Sequence, residues 1–333
     1  MMVEETKSGG QLEQRIDCSV EAAEKISQAR ALIQDGSATE DKLKEALAVL
    51  AAMEKRCRVG NDVVSLCKVC EASIQICKDC RNDEALIATI KTLATRRSQK
   101  SKAVATIVQM VMPWVIIGVD PEGSPVVAPN SAKLIETLRD ITDGKLFLEA
   151  ERARLTRALA KLKEESGLIA DAADCLQEVH VETYGSLSKR EKIEFILEQM
   201  RLTLAKEDYV RASIVSNKVN RTILSEEGME SLKIKFLKLM IAYHHLHTKD
   251  AFELAKDYHQ MYLTLLAISD KQAKNNDEMT LSSPSTNSST WIEALQTTVL
   301  FLALSPFGME QQDMLNRVRI DPNLGKKNCD AFK

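Results

Sequence analysis

Apolar residues return along this chain at three- and four-residue intervals in one segment after another, and Gly, Pro, Asn or Asp interrupts each run. The pattern predicts helices from Leu12 to Ile33, Thr39 to Cys57, Val63 to Lys78 and Glu84 to Ala94. In the second of these, Leu43, Ala46, Leu47 and Leu50 fall on one face. Asn61 or Asp62 stands where the third helix needs a cap, and Asn82 or Asp83 where the fourth does. A helix from Ser98 to about Ile117 contains Pro113, which is expected to kink it. The segment Gly118 to Asn130, with three prolines and two glycines, reads as a loop.

A short helix then runs from Ser131 to about Thr142 and stops at Gly144. The next carries Leu148, Leu155, Leu159 and Leu162 on one stripe, ends at Gly167, and is followed by a shorter helix to about Val181. After a joint at Tyr184, Gly185 and Ser186 come a long helix to Lys206 and a short one from Asp208 to about Val219. Further pairs run from Met229 to His247 and Asp250 to Ile268, and from Trp291 to Leu304 and Met309 to Arg319. Residues 1–10 and the polar tract Ser269 to Thr290 are expected to be disordered, because they offer too little apolar surface to offset the entropy of ordering. The implied organisation is a disordered start (1–10), a helical-repeat body (11–268), a disordered insertion (269–290) and a last helical repeat (291–333).

A faint period joins these helices. An apolar residue followed three positions later by Ala occurs at Leu43 and Ala46, Ile169 and Ala172, Tyr209 and Ala212, and Phe252 and Ala255; Leu86 keeps the place but lacks the Ala. A small residue at a fixed site lets neighbouring helices approach. Helix pairs repeating every 34 to 47 residues or so are the unit of helical solenoids, in which only stacking buries the apolar face of each pair. The fold class expected is all-α, a right-handed, TPR-like solenoid of antiparallel helix pairs.

Composition agrees. Aromatic residues make up only 4% of 333 residues, and Ala, Leu, Lys and Glu dominate, a mix that loses little rotamer freedom in helices. A formal charge of -3 provides no basic field for nucleic acid. No apolar run approaches the length of a membrane span, and the polar first residues do not resemble a secretory signal. The eight cysteines are therefore expected as thiols in a reducing compartment, cytoplasmic or nuclear.

Little in the sequence points to chemistry. Cys67, Cys70, Cys77 and Cys80 have the spacing of a zinc site, but their spacer has no Gly or Pro to fold it back. On one helix the outer two would lie about 20 Å apart, so they read as small buried residues. The basic run Arg96 to Lys102 reads as a solvated helix start. Glu149, Glu151, Glu164 and Glu165 alternate with Arg and Lys at helical spacing, which is ordinary surface pairing. No phosphate-binding or nucleophile-elbow motif occurs, and no residue is singled out as catalytic, cofactor-binding or metal-binding.

Several long strings are more specific than any spacing: LATRRSQKSKAV (Leu93 to Val104), LIETLRDITDGK (Leu134 to Lys145), EAERARLTRALAKLKEESG (Glu149 to Gly167), LQEVHVETYGSL (Leu176 to Leu187), EFILEQMRL (Glu194 to Leu202) and LALSPFGMEQQDML (Leu302 to Leu315). In these the chain resembles the proteasome-lid family of non-ATPase regulatory subunit twelve, collinearly from about Leu43 to Arg319. The resemblance implies a non-catalytic scaffold without cofactors, in which a helical solenoid leads into a PCI module ending in a winged helix. Its implied partners are other lid subunits, the ATPase ring and the core particle, in a hetero-oligomer with no nucleic acid or membrane. This chain ends at Lys333, where such relatives would enter the winged helix, so a truncated PCI region is expected. Deubiquitinases of the same particle use a His-x-His pair on zinc. His245 and His247 have that spacing, but Thr248 stands where proline is expected and no Ser-x-x-Asp follows, so with His244 they read as helix-closing residues. The rival readings are a scaffold of the COP9 signalosome, a zinc-binding module built on the four cysteines, and an RNA-binding scaffold.

Overall fold

Helices α1 (Ser19–Gln34), α2 (Glu40–Val59), α3 (Val63–Asp79), α4 (Asp83–Thr95), α5 (Ser101–Val115), α6 (Ala132–Thr142), α7 (Glu149–Glu165) and α8 (Ile169–Gln177) form the first of two units in the computed structural model. The second unit holds α9 (Lys189–Ala205), α10 (Tyr209–Lys218), α11 (Glu230–Tyr243), α12 (Ala251–Asn276), α13 (Asn287–Leu304) and α14 (Met309–Ile320). The structure describes residues 5–6, 13–14, 16–34, 40–120, 123–276 and 287–325.

The fold is all-α, and successive helices pack as antiparallel neighbours. In the first unit α2 packs on α1 and α3, α4 on α3, α6 on α4 and α7, and α8 on α7. In the second, α10 packs on α9, α11 on α9 and α12, and α13 on α12. The alanines of the faint period fill the place the pattern assigned them: Ala46, Ala172, Ala212 and Ala255 are all fully buried. Their apolar companions are less uniform, since Leu43 is buried but Ile169 is 37% exposed.

One corner recurs and explains how helix follows helix. A residue of left-handed conformation ends one helix, and an Asp or Asn immediately after it caps the next. The pairs are Asn61 (φ 55°) and Asp62, Arg81 (φ 52°) and Asn82, Glu207 (φ 64°) and Asp208, and Lys249 (φ 52°) and Asp250. The capping oxygens accept from Ser65 N (3.3 Å), Ala85 N (2.9 Å), Arg211 N (3.1 Å) and Phe252 N (2.8 Å), satisfying amides that the first helical turn leaves open. Of the alternative caps, the structure selects Asp62 and Asn82. Asp62 also accepts from Cys18 N at 3.1 Å, which ties the start of α1 to the α2–α3 corner.

Two expectations change. Gly118 to Asn130 is not a plain loop. Strand β3 (Ile116–Val119) pairs antiparallel with β4 (Pro125–Val127), and α7 packs on β4 while Arg157 Nη2 donates to Gly123 O at 2.6 Å. The β-branched residues Ile116, Ile117, Val119, Val126 and Val127 supply strand propensity, and Pro125 begins its strand, where a missing N–H is tolerated. The polar tract is also shorter than expected. Helix α12 continues to Asn276 and α13 begins at Asn287; in α12 the good helix formers Lys, Gln and Ala prolong a helix already anchored by its apolar half. The rest of that tract lies outside the described residues. So does most of 1–10, although Glu5–Thr6 (β1) pairs with Glu13–Gln14 (β2).

Each unit has its own core. In the first, Leu148, Leu155 and Leu159 are buried as their stripe predicted, with Leu162 at its margin. In the second, fully buried Tyr262 donates from its hydroxyl to Asp321 Oδ2 at 2.7 Å and accepts from Asn323 Nδ2 at 2.8 Å, joining α12 to the segment after α14.

Candidate functional site

The four spaced cysteines lie on or at the end of α3, and their thiols go to different neighbours. Thr106 of α5 donates to Cys67 Sγ at 3.6 Å, and Cys77 Sγ meets Thr89 Oγ1 of α4 at 3.6 Å. Cys67, Cys70 and Cys77 are buried, while Cys80 caps the helix. Burial pushes the Cys70 thiol up to about 12, aided by Glu54, and pushes Cys57 to about the same value. Protonated thiols of this kind are poor nucleophiles and poor metal ligands. Among the described residues, no group of three or more His, Cys, Asp or Glu side chains converges as a metal site.

The histidines also part company. The backbone from His244 to Thr248 widens into a π-turn after α11 before Lys249 turns it left-handed. His244 is buried, with Nδ1 2.9 Å from Thr248 Oγ1 and Nε2 3.5 Å from Asp257 Oδ2. His247 stacks on Tyr209 of α10 (5.1 Å between centroids), and His245 sits edge-on to Phe301 of α13 (5.5 Å). They fasten α10, α11 and α13 rather than forming one ligand set.

Arg96 departs from the solvated reading of its basic run. Glu54 of α2 is fully buried, and its carboxylate accepts from Arg96 Nη1, from Arg58 Nε at 3.2 Å and from Gln99 Nε2 at 3.2 Å. Arg58 Nη1 donates in turn to Arg97 O at 2.7 Å. The first half of the basic run therefore locks the α4–α5 joint onto α2, while Arg97, Ser98 and Lys102 remain exposed. The signal was present in the sequence: Glu54 stands at i+4 from Leu50 and i−3 from Cys57, on the stripe that is otherwise apolar.

What remains open to partners is surface. Around the α13–α14 corner, Leu304, Phe307 and Met309 are exposed, Phe307 by 86% and Met309 by 92%. Large apolar side chains so displayed are a feature of contact surfaces. No helix among the described residues is long and apolar enough to cross a membrane.

Comparison with known proteins gives this arrangement a context. The family model described as PSMD12/CSN4, N-terminal, matches residues 45–270. The chain is 37% identical over 277 residues to the 26S proteasome non-ATPase regulatory subunit 12 of Dictyostelium discoideum, covering 83% of this chain and 56% of that one. It is 33% identical over 308 residues to homolog A of the same subunit from Arabidopsis thaliana (86% and 64%), and 32% identical over 291 residues to the 26S proteasome regulatory subunit RPN5 of Saccharomyces cerevisiae (87% and 60%). The chain thus spans between 56% and 64% of the length of these relatives.

Proposed function

The chain belongs to the PSMD12/CSN4 N-terminal family, and from that membership we propose that it is a non-catalytic scaffold of the 26S proteasome regulatory particle, acting in its lid. The observation that carries this reading is the identity of 32% to 37%, sustained over most of the chain, with relatives named as regulatory subunits of the 26S proteasome. The structure supports it in kind. Stacked helix pairs offer long surfaces to protein partners, and the exposed apolar residues of the α13–α14 corner are suited to such contacts. Nearly all of the chemistry-bearing side chains described above serve packing. On this reading the chain works by holding other subunits in place for ubiquitin-dependent degradation, with lid subunits, the ATPase ring and the core particle as partners, in cytoplasm and nucleus.

Sedimentation of a native extract through a density gradient tests the reading. The chain should migrate with ATP-dependent peptidase activity and with other lid subunits. Migration with neither would reject it, and migration with signalosome subunits would move the role to that complex.

A further inference from the structure

We propose that a cleft in the second unit, between α11, α12 and the turn at 221–225, is a docking site for an acidic peptide segment of a partner protein. The cleft has a volume of about 420 Å³, room for one or two side chains rather than a domain. Its wall combines cations with an apolar floor, Phe236, Leu237 and Met240. Two of the cations are unspent. Arg221 lies 6.0 Å over the Phe236 ring, and neither its guanidinium nor the Lys233 ammonium has a hydrogen-bond or salt-bridge partner among the described residues. Lys256, by contrast, is held by Glu253 at 2.8 Å, with Glu310 at 3.8 Å.

The carboxyl at the back of the cleft does not cancel that charge. Asp257 Oδ2 is buried without a hydrogen-bond partner, and the 3.5 Å to His244 Nε2 falls short of a bond. Burial first, then the neighbouring Glu253, raises this carboxyl to about 7, against the pull of Arg221 and Lys256. Burial also lowers His244, so a carboxyl only partly ionised near neutral pH faces an imidazole that favours its neutral form. The groups that face Asp257 are thus Arg221 from the turn, His244 from the π-turn, and Glu253 and Lys256 from α12, with Lys233 of α11 across the cleft. An incoming carboxylate meets two unpaired cations beside apolar surface, opposed by a partly ionised Asp257 and by a Glu253 that Lys256 already pairs. Segments in which Glu or Asp alternates with Leu have that chemistry. A basic peptide would have to displace Arg221 and Lys233 to reach Asp257.

The full 333-residue chain is titrated with an acetylated Glu-Leu-Glu-Leu amide, and with its Gln and Lys counterparts, by calorimetry and by NMR of the His244 ring. The acidic peptide should bind best and shift His244, and Arg221→Gln with Lys233→Gln should weaken it about tenfold or more, ~1.4 kcal/mol per tenfold. An anion beside Asp257 favours its protonated form, so affinity should rise as pH falls from about 8 to about 6 while the peptide carboxylates stay ionised, and Asp257→Asn should flatten that slope. No binding of the acidic peptide, equal binding of the Gln or Lys peptide, an unmoved affinity in the double variant, or affinity rising with pH would each overturn the proposal.

Discussion

Removing Arg96 should unbalance the buried carboxylate of Glu54. The Glu54 side chain is 1% exposed, and its three partners are Arg96, Arg58 and Gln99. Arg96→Ala leaves one charged partner, at 3.2 Å, and gives solvent a partial path to the other carboxylate oxygen. Breaking a fully buried pair costs about 3–5 kcal/mol. Because Arg96 is 24% and Arg58 17% exposed, solvent offsets part of this, and about 3 kcal/mol is expected. For a unit of this size that corresponds to a fall of roughly 6–12 °C in melting temperature. Trp114 lies in the first unit and Trp291 in the second, so Trp291→Phe makes tryptophan fluorescence report the first unit alone. Urea unfolding of Arg96→Ala in that background, alongside the double replacement Glu54→Met with Arg96→Met, separates pair from packing. The double variant should lie within about 1 kcal/mol of the parent, since apolar side chains of similar volume replace buried pairs at little cost. An Arg96→Ala variant as stable as the parent would mean that Glu54 reaches water and that the α4–α5 joint is not locked in this way.

Leu159→Ala should cost about 2–5 kcal/mol in the same assay, because the side chain is buried among α7 neighbours; an unchanged midpoint would show that α7 faces another way. Glu207→Gly should stabilise the second unit by up to ~1 kcal/mol by relieving an exposed residue held in the left-handed region, and thermal melts would detect its failure as a lower midpoint. Asp257 binds its proton more tightly in the folded chain, so its contribution to stability falls as pH rises from about 4 through about 7. Asp257→Asn should therefore stabilise the second unit at pH 8, by of order 1–3 kcal/mol, and have little effect at pH 4; the opposite ranking in urea titrations would refute the burial argument. Cys70 should resist alkylation in the folded chain at neutral pH and react once urea unfolds it, as mass spectrometry of trapped thiols would show.

Helix existence and order were legible because periodicity is written into each segment, as the stripe at Leu148, Leu155 and Leu159 and the buried alanines 46, 172, 212 and 255 show. The corners were half legible. Asp and Asn announced the caps, but left-handed Arg81, Glu207 and Lys249 carry no side-chain signature, since it is the cap beyond them and the packed helices that hold that conformation. The hairpin at Ile116 to Val127 was hidden because the same prolines and glycines that mark a loop also permit a tight strand pair. The Glu54 network was missed for a different reason. Reading Arg96 by its basic neighbours ignored its partner 42 residues earlier, and such pairings are set by tertiary packing. Likewise the π-turn that sends His244, His245 and His247 to three separate neighbours cannot be read from His-x-His spacing.

Affinity purification of the tagged chain from its own cells, with quantitative mass spectrometry of what accompanies it, tests the scaffold reading most directly. Near-stoichiometric recovery of proteasome lid subunits is expected, with ATPase-ring and core-particle subunits alongside. Recovery of signalosome subunits instead, or of no regulatory-particle subunit above background, would contradict it.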